Sequence, residues 1–236
     1  MQLFYHNQIN DTTDECIFDA IESQHIVRVL RKKEGDILWI TNGLGDLYKS
    51  EIIHAHDKRC RVKIVLKQFY SKNRNYYLQV VIAPTKNLER MEWFLEKATE
   101  IGIDEIIPIF CDHSERKVLK MERLEKVIIA AMKQSVQYYL PKLASPMKFD
   151  EFIKQKFDGQ RFIAHCEETT RNSFKNSVKP EKNIQILIGP EGDFSPNEIE
   201  IALKEGLLPV TFGENRLRTE TAGIVAVHTV ALINEI

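Results

Sequence analysis

The chain has 236 residues, a formal net charge of −1 and 43% hydrophobic residues, enough to bury one large core or two modest ones. The near-neutral balance excludes a basic footprint over the whole molecule, so any nucleic-acid contact must come from local patches. No stretch reaches the roughly 18 apolar residues of a membrane span, and the start, MQLFYHNQINDTTDEC, lacks the basic and apolar segments of a secretory leader, so the chain reads as cytoplasmic.

Residues 1 to about 70 read as mostly β, with SQHIVRVLRKK (23–33) placing Ile26, Val27 and Leu30 at helical spacing and leaving Arg28, Arg31, Lys32 and Lys33 to solvent. GDILWIT (35–41), LYKSEIIHAH (47–56) and CRVKIVLKQF (60–69) follow, separated by turn residues such as Asn42-Gly43 and Asp57-Lys58. They predict a small antiparallel barrel over 1–70, and the polar SKNRNYY (71–77) reads as a linker. From residue 78 the pattern changes. Short apolar strands at 78–84, 105–110, 161–166, 184–189 and 208–212 alternate with helical stretches at 88–102, 121–137, 149–156, 195–205 and from 219. Alternation of this kind predicts an α/β domain over 78–236 with a largely parallel sheet, whose ligand sits beyond the carboxyl ends of strands.

Between Lys58 and Arg74 there are seven Lys/Arg and no Asp or Glu, with Phe69, Tyr70, Tyr76 and Tyr77 close by. This suits phosphate contacts and base stacking on RNA, and it equally suits a solvated strand face with its aromatics turned inward. Cys16, Cys60, Cys111 and Cys166 form no C-x-x-C pair, so no metal site and no disulfide framework is expected.

Three loops follow the later strands: HCEE (165–168), GPEGDFS (189–195) and FGENRLRTETA (212–222). In the second, Ser195-Pro196-Asn197-Glu198 is a capping box with proline at the first helical position, which gives Ser195 a structural role and leaves Gly189 to Asp193 as loop. Glycines at a strand-to-helix turn suggest a phosphate cradle, but Glu191 and Asp193 would repel a phosphate, and neither the P-loop nor the dinucleotide glycine pattern is present. The loop instead suits close backbone approach to a neutral or cationic ligand, or is a tight turn and nothing more. In the third loop Thr219 stands as N-cap and Glu220 in the first turn of an apolar helix. Arg216 and Arg218, just before a positive helix end, are unfavourable there unless they serve a ligand or partner, which points to function at Arg218.

LIGPEGDFSPNE together with FGENRLRTETA resembles the SPOUT methyltransferases with a trefoil-knotted C-terminal region, and more narrowly the bacterial family that methylates N3 of a uridine in small-subunit (16S) ribosomal RNA. HIVRVLRKKEGD (25–36) resembles that family's N-terminal PUA-like RNA-binding domain; residues 96–118 and 132–141 resemble its middle motifs. The chain departs from the pattern at Asp193, where a third glycine is common, at Lys117, where serine is common, and at Gln137, often arginine. The resemblance implies S-adenosylmethionine as cofactor, no metal, a homodimer, and ribosomal RNA or an assembled 30S subunit as substrate. Carried over by motif, the cofactor contacts are Ile188, Gly189, Glu191 and Gly192 from the second loop, and Phe212, Gly213, Leu217, Arg218, Thr219 and Thr221 from the third. His165 or Glu167 joins them from the first. Arg218 is expected to stabilise charge on the base, while Glu220 or a neighbouring group accepts the N3 proton. The basic stretch then becomes an expected RNA surface, with Arg28, Arg31, Lys32, Lys63, Lys67 and Arg116 as contacts. A binding or ribosome-assembly module that keeps the fold without catalysis is the competing reading.

Overall fold

The computed structural model describes residues 1–167 and 171–235. They divide into two compact units, Met1–Asn73 with Met132–Leu140, and Arg74–Ala131 with Pro141 onward.

The first unit is a curled five-stranded sheet of β1 (Leu3–Tyr5), β2 (Glu15–Ile17), β3 (Ile37–Thr41), β4 (Asp46–His54) and β5 (Arg61–Phe69), in the order β1-β3-β4-β5-β2. Three of its four ladders are antiparallel; β1 lies parallel to β3. Alternate residues turn Leu38, Ile40, Tyr48, Ile52 and Val62 into one core. The helix expected over 23–33 starts earlier. Asp19 caps α1 (Ala20–Gln24) by accepting from the Glu22 amide at 2.8 Å, and the chain then widens into a π turn, His25–Val29. Arg31, with φ of 55°, ends it. Beyond Ile64 the alternation of β5 fails, and Val65, Leu66 and Phe69 are exposed, so Phe69 is not turned into the core.

Residues 132–140, read from the sequence as part of the second domain, pack with this first unit. The Gly45 amide donates to the Tyr138 carbonyl and the Leu140 amide to that of Gly43, both at 2.9 Å, while the Tyr139 hydroxyl donates to the Tyr70 carbonyl. Gly43 and Gly45 have φ of 76° and 99°, which bends the β3–β4 turn outward and frees these groups from the sheet ladder.

The second unit contains β6 (Leu78–Ile82), α2 (Leu88–Ile101), β7 (Glu105–Phe110), α3 (Met121–Gln134), β8 (Lys142–Leu143), β9 (Met147–Lys148) and α4 (Phe149–Phe152). After them come β10 (Gln160–Ala164), β11 (Asn172–Ser173), α5 (Phe174–Ser177), β12 (Ile184–Ile188), α6 (Pro196–Lys204), β13 (Leu208–Thr211) and α7 (Thr219–Asn234). The last residues of α3 belong to the first unit. The strands form a sheet in the order β11-β13-β10-β12-β6-β7-β8, with β9 also on β7, and every described ladder is parallel. Both faces are covered, which is why β6 and β12 are buried along their whole length rather than at alternate residues. Asn87 caps α2 and Gly102, with φ of 114°, stops it. Ser195 and Glu198 form the expected capping box of α6.

On one face of the sheet α2 packs against α7, and the closest approach needs Gly223, where a Cβ would meet Phe94 Cε2 at 2.6 Å. Phe94 is fully buried and cannot swing aside. Gly223→Ala is expected to lower unfolding stability by about 1–3 kcal/mol through overpacking, measured as a shift in urea midpoint at unchanged m-value.

Candidate active site

Sequence neighbours β12 and β13 do not touch; β10 lies between them, so the loops leaving the carboxyl ends of these three strands meet. They enclose a cavity of about 880 Å³. Side chains bond each loop to another. Asp193 takes φ of 65°, a conformation Asp tolerates better than most residues, and its Oδ2 accepts from the Cys166 amide at 2.6 Å. Arg216 donates to the Glu191 carbonyl at 2.9 Å, and the Thr219 hydroxyl to that of Gly189 at 3.0 Å. The loop after β7 adds a fourth support through His113, whose Nδ1 lies 3.1 Å from the carbonyls of both Gly192 and Asp193.

The cavity wall includes Ile188, Gly189 and Glu191 from the second loop, Phe212, Gly213, Leu217, Arg218 and Thr219 from the third, and His165 from the first. Gly192, Thr221 and Glu220 do not line it. A Cβ on Gly192 would press on His113 Cβ at 3.0 Å, so that glycine serves the packing of the loops. Thr219 is not the N-cap. Arg218 occupies that position with no side-chain cap bond, because the Thr219 hydroxyl is already committed to Gly189. Glu220 is buried one residue further on, with Oε1 3.7 Å from Arg90 and Oε2 unpartnered, which gives it no contact with the cavity from which to take a proton. Glu167 is absent from the wall and Glu168 lies outside the described residues. Arg171, which no motif singles out, lines the cavity and donates to the His165 carbonyl.

Of the residues expected on RNA, Arg28 is held by Asp57 through two bonds of 2.9 and 2.6 Å, and Lys67 by Asp11 and, at 3.0 Å, by Asp46. Arg31 and Lys63 are exposed, Lys32 half-buried. Arg116 donates to the carbonyls of Thr85 and Lys86, at 3.1 and 2.6 Å.

Polar groups without partners set the cavity wall apart. His165 is 4% exposed, yet among the described residues neither ring nitrogen has a hydrogen-bond partner, and Oε2 of Glu191 has none either. Burial also pulls the His165 pKa below its ordinary value of 6.5, so near neutral pH its ring offers one donor and one acceptor. The Arg218 carbonyl accepts from the Ala222 amide at 2.8 Å, but its guanidinium makes no hydrogen bond or ion pair among the described residues. Two thiols of the first unit are held protonated: burial pushes Cys60 up to about 11 and Cys16 up to about 12.

The profile of a family described as an RNA methyltransferase domain matches residues 71–231, and that of an RNA methyltransferase PUA domain matches 19–65. A ribosomal RNA small subunit methyltransferase E from Buchnera aphidicola subsp. Acyrthosiphon pisum is 33% identical over 231 residues, 93% of this chain and 89% of that one. Among solved structures, a probable rRNA-methyltransferase from Porphyromonas gingivalis superposes with a TM-score of 0.91 at 40% identity, covering 99% of this chain and 98% of that one. A putative methyltransferase from Legionella pneumophila, solved with bound cofactor SAM, gives a TM-score of 0.88 at 25% identity, covering 98% and 97%.

The His165 environment has a consequence for stability. As pH falls below about 6.5 the unfolded chain binds a proton at this residue that the folded chain refuses, so stability drops until the folded imidazole itself titrates. His165→Gln, which titrates nothing, is expected to flatten the fall of melting temperature on acidification below that value; an unchanged slope would show that the imidazole is not held neutral.

Proposed function

The chain belongs to the RNA methyltransferase family, and on that premise we propose that it is an S-adenosylmethionine-dependent enzyme methylating N3 of a uridine in small-subunit ribosomal RNA. The observation that carries this reading is the unsatisfied polar wall of the cavity, the paired lack of partners at His165 and at Oε2 of Glu191. A ligand with a cationic centre and a neutral hydrogen-bonding edge answers both. Size agrees, since about 880 Å³ lies within the roughly 300–1,000 Å³ of small-molecule sites. When bound, S-adenosylmethionine supplies a methyl group already activated by the positive charge on its sulfur.

The residues of the chain then have three tasks. Gly189, Gly213 and the third-loop backbone let the ligand approach closely; Gly213 has φ of 140° and open space where a Cβ would stand. Glu191 and the neutral His165 supply the polar contacts. Arg218, uncompensated at a helix start where a cation gains nothing from the helix, gains a counter-charge as N3 loses its proton and negative charge spreads over the uracil oxygens. Stabilising that anion draws the weakly acidic proton within reach of neutral pH, so that solvent water accepts it; N3 then bonds to the methyl carbon as the carbon–sulfur bond breaks and the sulfur leaves as a neutral thioether.

Arg31 and Lys63 of the first unit, unpaired among the described residues, suit RNA together with exposed Phe69 better than Arg28 and Lys67, whose charges are answered within the protein. We read the protein as a cytoplasmic homodimer with a trefoil-knotted C-terminal region. No helix among the described residues is long and apolar enough to cross a membrane. Exposed Trp93 on α2 and Leu232 on α7, on two helices packed together, support a partner surface there; a monomeric mass by light scattering would refute the dimer.

Mass spectrometry of 16S RNA from cells lacking the gene is expected to show loss of one N3-methylated uridine, restored by the wild-type gene. Arg218→Ala is expected to lower kcat by about 100-fold or more with donor affinity little changed. Ribosomal RNA that keeps every methylated uridine in the deleted strain would leave a binding module without catalysis.

A further inference from the structure

Arg116 lies beyond the cavity wall, yet its bonds lead to it. The segment before it is fixed by a tight turn, in which the buried Ser114 accepts from the Cys111 amide at 2.9 Å and donates its own amide to the Cys111 carbonyl at 3.0 Å. From there the guanidinium reaches the loop after β6, with Nε on the Thr85 carbonyl and Nη2 on that of Lys86. The Lys86 amide in turn donates to Oε1 of Glu191 at 2.9 Å. One carboxylate oxygen of Glu191 is thereby fixed, and the other is left without a partner in the wall of the cavity. Both charges of the relay are used on backbone groups of one loop, and the Nε–Nη2 edge of Arg116, which spans two carbonyls, is closed to a bidentate phosphate.

We propose that Arg116 is a positioning residue for donor binding: through the Lys86 amide it sets the Glu191 carboxylate that meets the cationic donor, and it is not an RNA contact. This rests on the S-adenosylmethionine reading. The step it adds is that a side chain outside the cavity decides the orientation of one inside it.

Calorimetric titration of the whole protein with S-adenosylmethionine tests this, alongside RNA binding across a salt series. Arg116→Ala is expected to raise the donor Kd by about tenfold or more while RNA affinity and its salt slope stay as in wild type. Arg116→Lys, which can satisfy one carbonyl, should recover part of the loss. In a Glu191→Ala background the Arg116→Ala effect should shrink to less than about twofold, as coupled residues require. Should Arg116→Ala not melt cooperatively, Arg116→Lys carries the same comparison. A donor Kd unchanged by both variants, effects that simply add in the double variant, or a salt slope reduced by about one on losing Arg116 would overturn the assignment. Wild-type protein that binds no S-adenosylmethionine would instead overturn the reading on which it rests.

Discussion

What holds the described parts of the loops after β10, β12 and β13 together is the use of side chains to satisfy backbone groups across loop boundaries. The Thr219 hydroxyl on the Gly189 carbonyl is the central bond of the set, because it joins the start of α7 to the end of β12. Asp193 on the Cys166 amide and Arg216 on the Glu191 carbonyl extend the same device on either side. Each answers a backbone group that the end of a strand leaves without a ladder partner. The cavity is therefore built by parallel strand order and kept open by polar bonds around its rim.

This arrangement explains why carboxylates stand in loops whose glycines alone would suit phosphate. Asp193 is committed to the scaffold, and Glu191 is half committed, with one oxygen on Lys86. Arginines divide in the same manner. Arg116 and Arg216 are engaged by carbonyls, whereas the Arg218 guanidinium has no partner among the described residues. The groups left without partners, His165, one oxygen of Glu191 and Arg218, make up a small and chemically mixed set suited to a ligand that is neither a polyanion nor purely apolar.

Much of the fold was legible in the sequence, because strands, helices and caps are local. The capping box at Ser195 and the stop at Gly102 needed only neighbouring residues to be read. What escaped was set by distant partners. Nothing near residues 132–140 announces that their amides and carbonyls answer Gly43 and Gly45, about ninety positions earlier. The spacing around Thr219 fits an N-cap, but the carbonyl of Gly189 claims its hydroxyl. Arg116 and Arg28 look like free charges until Lys86 and Asp57 are brought beside them. The π turn at His25–Val29 is a further case, a local irregularity that a helical count of apolar residues passes over. At the site, the three loops could be found as loops, while the division of labour among their residues could not.

Gly223 packs α7 against α2, and so places residues 219–234 on an element that begins at residue 88. The order of synthesis then matters. A nascent chain that has made β6, α2 and β7 has no α7 to cover that helix, and the packing of Gly223 on Phe94 joins parts far apart along the sequence. Such a unit folds late and slowly, with apolar surface exposed meanwhile. The enzyme is thus assembled only after translation has delivered residues 219–234, and an emerging chain holds no finished cavity in which to capture its donor.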